Sequence, residues 1–280
     1  MQQKNWREGE PRLTKETAAR LDAFFSSFRR AANFTLLLDY DGTLAPFRVN
    51  RFHARPWTGV RELLTQIQKQ TPTRLVIVTG RPAAEIVPLL AIKPAPEIWG
   101  LHGAERLFPG GRRELEQIPA ATHAALRTLC AQLQRDAFGG LIEQKPNAIV
   151  MHWRGVAPRK ARIIEQRTRA LFEPLTRKNG LSLLVFEAGL ELRTGRDKGG
   201  AVRTILEESS NEGAGPIAYL GDDLTDESAF RAIKSRGLGV LVRRQARETS
   251  AGIWLRPPGE LRDFLARWLA SSTRFNMKPA

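Results

Sequence analysis

The chain has 280 residues, 42% hydrophobic and 26% charged, which is room for one large domain or two modest ones and excludes a disordered or membranous polypeptide. Lysine and arginine number 44 against 29 acids, a net charge of +15, which suits either a nucleic-acid partner or a field that draws in small anions. Cys130 is the only cysteine, so an intrachain disulfide is excluded and a cysteine-based metal site is not expected.

Thr14 to Arg30 carries Ala18, Leu21, Phe24, Phe25 and Phe28 at helical spacing, with Thr14 in the N-cap position. The opening twenty residues are too polar for a secretory signal and no apolar run reaches membrane-spanning length, so a cytoplasmic protein is expected. Phe34 to Leu38 is an apolar run of the kind buried on both faces of a parallel sheet. It ends in Asp39-Tyr40-Asp41-Gly42, which puts two carboxylates on the same side of a strand tip. Phe47 to Pro56 is a basic loop, Trp57 to Gln70 is helical in pattern, and Arg74 to Val78 is a second strand running into Thr79-Gly80-Arg81-Pro82. Pro82 to Leu90 then reads as a helix, and Ile98 to Leu101 as a short strand. This alternation predicts parallel strands joined by right-handed crossovers.

Near Gly110-Gly111 the texture changes. A helix over Ala120 to Asp136, a hairpin over Leu141 to Trp153 turning at Lys145-Pro146-Asn147, a helix over Pro158 to Lys178 and a strand over Leu183 to Phe186 describe an α+β unit. The α/β pattern is expected back at Leu190 to Arg193, with a helix after Gly199-Gly200, a strand over Ile217 to Leu220, a helix opened by Gly221-Asp222-Asp223, a strand over Leu238 to Val242 and a closing helix over Glu260 to Ala270. The expected fold class is therefore α/β: a Rossmann-like core with a parallel sheet and an inserted α+β cap. The expected division is a helical extension (1–31), a core (32–111 and 189–280) and the cap (112–188).

Ligands in open α/β sheets sit beyond the carboxyl ends of the strands, so the tips carrying Asp39/Asp41, Thr79 and Asp222/Asp223 are expected to converge. Asp39 has the chemistry to attack phosphorus, and Asp41 to give and take the proton of an alcohol or water. A Thr79 hydroxyl and the amides of a helix start suit phosphate oxygens. Asp222 offers the further carboxylate that Mg²⁺ takes, and Lys198 a compact positive charge for a transferring phosphoryl group. No P-loop, G-x-G-x-x-G or H-E-x-x-H is present in the sequence. His53, His123 and His152 have no metal-ligand spacing with one another.

These segments carry a resemblance. LLLDYDGTLAPF, VIVTGRP, the lysine of GRDKGG and YLGDDLTDE are similar to the four motifs of the haloacid dehalogenase superfamily of Mg²⁺-dependent phosphatases. DYDGTLAPF, LHGAE, LIEQKPNAIVMHWR, LELRTGRDKGGAV and GDDLTDE resemble the trehalose-6-phosphate phosphatases within it. The likeness runs from about Phe34 to Ala270, with Leu101 standing where the family often has a polar residue.

The resemblance implies Asp39 as nucleophile and Asp41 as general acid/base, with Mg²⁺ on Asp39, the Asp41 carbonyl and Asp222. It implies Thr79, Gly80 and Lys198 around the phosphate, and Asp223 and Asp226 in or near the metal's outer shell. Glu143, Lys145 and Glu191 would read sugar hydroxyls, with Arg81 and His102 beside them. The expected partner is a small sugar phosphate, with no nucleic acid or membrane, and the expected state a monomer. Sucrose phosphate and mannosyl-3-phosphoglycerate remain alternative substrates, phosphohexose mutase chemistry an alternative reaction, and a basic non-catalytic anion- or nucleic-acid-binding protein an alternative of another class.

Overall fold

The computed structural model describes residues 14–48, 50–135, 139–177, 180–211 and 215–273. Residues 1–13 of the expected extension lie outside the described residues. In chain order the elements are α1 (Lys15–Ser26), β1 (Phe34–Leu38), α2 (Val60–Gln70), β2 (Thr73–Val78), α3 (Ala83–Leu90), β3 (Glu97–Gly100), β4 (Glu105–Leu107), β5 (Arg113–Leu115) and α4 (Ala120–Gln134). They continue with β6 (Ile142–Lys145), β7 (Ala148–His152), α5 (Pro158–Phe172), β8 (Leu181–Phe186), β9 (Gly189–Thr194), α6 (Lys198–Asn211), β10 (Ile217–Gly221), α7 (Glu227–Ile233), β11 (Leu238–Val242), β12 (Ile253–Leu255) and α8 (Gly259–Thr273).

Eight strands form one sheet in the order β12-β11-β10-β1-β2-β3-β4-β5. Its first six members are parallel, and β4 and β5 extend it antiparallel, with β5 at the edge. β1 sits between β10 and β2, with Leu38 level with Leu220 on one side and Ile77 on the other. Every residue of β1 is buried, because side chains alternate between two covered faces. Leu36 and Leu38 join Leu64, Ile67, Phe264 and Trp268 of α2 and α8 on one face. Leu37 joins Val202, Ile205, Phe230 and Ile233 of α6 and α7 on the other.

The other four strands form an antiparallel sheet in the order β6-β7-β9-β8. Leu126, Leu129, Cys130 and Leu133 of α4 and Phe172 at the end of α5 pack with Ile149, Leu190 and Leu192 of that sheet. β9 corrects the reading that returned the parallel pattern at Leu190: Met151 pairs with Leu190 and Leu184 with Glu191, so this strand belongs to the antiparallel sheet. Its residues are buried on both faces: Leu190 and Leu192 enter the core under the small sheet, while the alternating Glu191 turns to the cavity side. At the other boundary, β5 stays with the large sheet, although the change of texture placed Arg113 in the inserted unit.

The chain passes from the large sheet to the small one after β5 and returns after β9. The two passages are tied together: Glu116 N–H donates to the Ala104 carbonyl at 2.8 Å, and its carboxylate accepts from Arg196 N–H at 2.9 Å. Lys198 follows Thr194 by four residues and opens α6, one residue before the glycines expected to precede that helix.

Candidate active site

Three parallel strand tips set the floor of the site. Asp39 N–H donates to the Leu220 carbonyl at 2.8 Å, which fixes the end of β1 against β10. Gly42 then turns the chain at a φ of +85°, and a β-carbon there would collide with the Asp222 carboxylate. Only glycine allows both the left-handed turn and that close approach. Thr79 directly follows β2, is almost wholly buried, and its Oγ1 accepts from Arg81 N–H at 3.2 Å.

Lys198 Nζ donates to Asp39 Oδ1 and Asp226 Oδ1, both at 2.7 Å. Burial alone would lower the ammonium pKa, but the charges of Asp226 and Asp39 outweigh it and hold Lys198 above its ordinary range. Asp39 itself is pushed up to about 7, because burial outweighs the pull of Lys198. Asp226 is fully buried and accepts four hydrogen bonds: Lys198 Nζ and the Tyr219 hydroxyl (2.5 Å) on Oδ1, and Asp222 and Asp223 N–H (both 2.9 Å) on Oδ2. It shapes the turn after β10 and holds the lysine.

Carboxylate oxygens of Asp39, Asp222 and Asp226 lie within 4.8 Å of one another. Because Asp226 is already engaged on both oxygens, Asp39 and Asp222 are the acids left to face a cation. Asp222 is pushed well above the carboxylate range by burial and then by the charges of Asp39 and Asp226. Three buried carboxylates against one ammonium leave negative charge without a partner of opposite sign, and hard oxygen donors of this kind fit a small divalent cation such as Mg²⁺.

The roof comes from the small sheet. Lys145 Nζ, at the end of β6, donates to the Gly80 carbonyl at 3.1 Å and to Glu191 Oε2 at 2.9 Å. Glu191 also lies 3.5 Å from His102 Nε2, and its Oε1 lies 3.4 Å from Arg193 Nε. Burial would raise its carboxyl, but Lys145 and His102 hold it below the ordinary range. His102 sits in a left-handed turn (φ +57°) beside Leu101 (φ +50°), fixed by His102 N–H to the Thr79 carbonyl at 2.8 Å. Its ring lies where a β-carbon on Gly80 would fall. Burial lowers the imidazole to about 4, against the opposing charge of Glu191.

Asp39, Asp41, Thr79, Gly80, Arg81, His102, Glu143, Lys145, Glu191, Lys198 and Asp223 line one cavity of about 470 Å³, while Asp222 and Asp226 lie buried behind its wall. Asp41 is gripped by Arg81, with Nε donating to Oδ2 at 2.6 Å and Nη2 to Oδ1. Among the described lining residues, Phe47, Arg48, Arg51, His152, Arg154 and Phe186 at the core–cap seam were not singled out for the site from sequence. Arg51 lies within the segment that reads only as a basic loop, and nothing local marks its partners, which are 34 and 92 residues away. Tyr219, which ties Asp226, reads simply as part of an apolar strand.

A sequence model of the trehalose-phosphatase family matches residues 37–254. A trehalose-phosphate phosphatase of Mycobacterium marinum is 30% identical over 245 residues, covering 83% of this chain and 60% of its own length. Trehalose 6-phosphate phosphatase RA3 of Zea mays is 27% identical over 262 residues, covering 85% of this chain and 70% of its own length. The chain thus spans about 60% of the length of the Mycobacterium marinum and Mycobacterium ulcerans relatives. The C-terminal domain of Candida albicans trehalose-6-phosphate phosphatase superposes with a TM-score of 0.77 at 18% identity, covering 89% of this chain and 96% of that one. A trehalose-6-phosphate phosphatase related protein superposes at 0.64 with 25% identity, covering 86% and 99%.

Proposed function

The chain belongs to the trehalose-phosphatase family, and on that premise we propose that it hydrolyses trehalose 6-phosphate to trehalose and phosphate. The observation that carries the reading is the Asp39–Lys198 pair on the floor of a cavity whose roof is Glu143, Lys145 and Glu191. A nucleophile, a charge to steady the phosphoryl group and a set of polar groups for sugar hydroxyls face one space.

In the proposed mechanism the sugar phosphate enters with phosphorus toward Asp39 and the sugar under β6 and β9. One Asp39 oxygen attacks phosphorus, and the bond to the sugar oxygen breaks as Asp41 delivers a proton to it, leaving an aspartyl phosphate. Arg81 must first release an Asp41 oxygen, since its grip leaves that group no room to act as an acid. Water then attacks the phosphorus with Asp41 taking its proton, and Asp39 is regenerated. Lys198 and the Thr79 hydroxyl hold the phosphoryl oxygens in line. Mg²⁺ bound by Asp39, the Asp41 carbonyl and Asp222 would supply further neutralisation of phosphate charge.

The test is phosphate release across a panel of sugar phosphates, with and without Mg²⁺, comparing the native chain with Asp39→Asn. Trehalose 6-phosphate is expected to be the best substrate, and the substitution to lower turnover at least about a thousandfold. Near-native turnover by Asp39→Asn would remove the covalent step from the reading. Preference for another sugar phosphate would change the substrate and leave the chemistry.

A further inference from the structure

Arg51 occupies a short turn (Arg51–His53) on the large-sheet side of the cavity, and its guanidinium grips acids from both units. Nε donates to Glu85 Oε2 at 3.0 Å and Nη2 to Glu85 Oε1, a two-pronged hold on α3. The remaining Nη1 pairs with Glu143 Oε1 on β6 of the small sheet. Glu143 Oε2 meets His152 Nε2 on β7 at 2.9 Å, so both oxygens of the carboxylate are oriented. The Arg51 carbonyl in turn accepts from Arg81 Nη1 at 2.8 Å, and Arg81 holds Asp41.

We propose that Arg51 is a positioning residue that latches the small sheet over the cavity and presents Glu143 to the sugar. The inference rests on the sugar-phosphate reading for its ligand and adds to it a residue that joins acids of the two units. Its force comes from charge arithmetic. Glu85 and Glu143 belong to opposite units and share one guanidinium, so without Arg51 the attraction joining them is lost and two like charges remain across the seam, offset only by Arg81 at 3.8 Å from Glu85 and by His152 and Lys145 around Glu143. Burial would raise the Glu143 carboxyl, but the hydrogen bond from His152 and the charges of Lys145 and Arg51 hold it at about 2, so it stays an anion across the working pH range. The planar fork matters, because a lysine cannot bind Glu85 through two prongs and reach Glu143 as well. A second contact from the same loop, the Arg154 guanidinium 4.1 Å from the Phe47 ring centroid, also crosses the seam.

The experiment compares Arg51→Gln, Arg51→Lys, Glu143→Gln and the double variant R51Q/E143Q with the native chain. It measures KM and kcat on trehalose 6-phosphate, kcat/KM on 4-nitrophenyl phosphate, and the substrate-free radius of gyration by small-angle scattering. Arg51→Gln is expected to raise KM for the sugar phosphate about tenfold, equivalent to about 1.4 kcal/mol, with kcat and aryl phosphate hydrolysis within about twofold. The double variant should bind no more weakly than Glu143→Gln alone, Arg51→Lys should recover part of the loss, and Arg51→Gln should have a larger radius of gyration. Parallel losses on both substrates, multiplying losses in the double variant, or an unchanged radius of gyration would overturn the proposal. If Arg51→Gln does not fold, Arg51→Lys, which keeps the charge and loses the fork, is held to the same outcomes in direction, with a smaller rise in KM. A native chain that cleaves the aryl phosphate but ignores the sugar phosphate sinks the substrate reading, and the scattering comparison then decides the latch by itself.

Discussion

Asp226 shows how one carboxylate that need not touch substrate can organise a site. Its four donors come from α6, β10 and the turn that carries Asp222. An asparagine there would aim its amide hydrogens at one pair of those donors. Removing one side of such a buried pair typically costs about 3–5 kcal/mol, so Asp226→Asn is expected to lower the urea midpoint by that order and to reduce turnover with it. A variant of native stability would mean that the network is not structural. His102 supplies a pH-dependent counterpart. Its folded pKa of about 4 lies below the ordinary histidine value of 6.5, so between those values the unfolded chain binds more protons than the folded one. Stability should therefore fall as pH drops through that window, by up to about 3 kcal/mol from this group, and Glu191, held low in the same cluster, adds a loss of the same sign below the ordinary carboxylate range. Urea midpoints measured from pH 7 to 4 should show a shallower fall in His102→Gln, and an unchanged slope would assign the dependence elsewhere.

At the scale of elements, α1 and the helical turn that follows it (Ser27–Arg30) are joined to the body by aromatic contacts. Phe28 stacks on Phe34 of β1 with ring centroids 4.6 Å apart and meets the Trp268 ring of α8 edge-on at 4.9 Å. Phe25 adds contacts to Phe264 and Trp268. Phe28→Ala should cost about 3–5 kcal/mol as the cavity term joins the lost transfer energy, seen as a lower melting temperature with aryl phosphate turnover at 25 °C unchanged. A loss of turnover at full stability would instead couple the helix to the site. The helix was legible in sequence because its cap and spacing are local properties: Thr14 accepts from Thr17 N–H at 3.1 Å, and Leu21 and Phe25 fall on the buried face. The central strands were legible for a similar reason, since a strand covered on both faces reads as an unbroken apolar run. β4, β5 and β12 have three residues each, too few for any periodicity. Strand β9 could be seen as a strand but not assigned to its sheet, because pairing with β7 and β8 is decided by tertiary contacts that leave no mark in its own six residues.

For the molecule as a whole, the doubly covered parallel sheet and its α/β class followed from the alternation of apolar runs and amphipathic stretches, and the similar solved structures share the fold. The meeting of Asp39, Thr79 and Asp223 at one cavity followed from strand direction, since parallel strands deliver their carboxyl ends to one side, whereas Lys198 reaches it from the start of α6. What stayed hidden was the seam: Arg51, Phe47 and Arg154 matter through partners on the other unit, and no local pattern encodes a partner 92 residues away. The clasp between Glu116 and the Arg196 amide bears on that seam. With both crossings pinned side by side, any swing of the upper unit has its fulcrum there, and displacement grows with lever arm. Lys198, two residues past the clasp, sits close to the axis. The ammonium paired with Asp39 would thus keep its post while the far lip of the upper unit makes the longest arc.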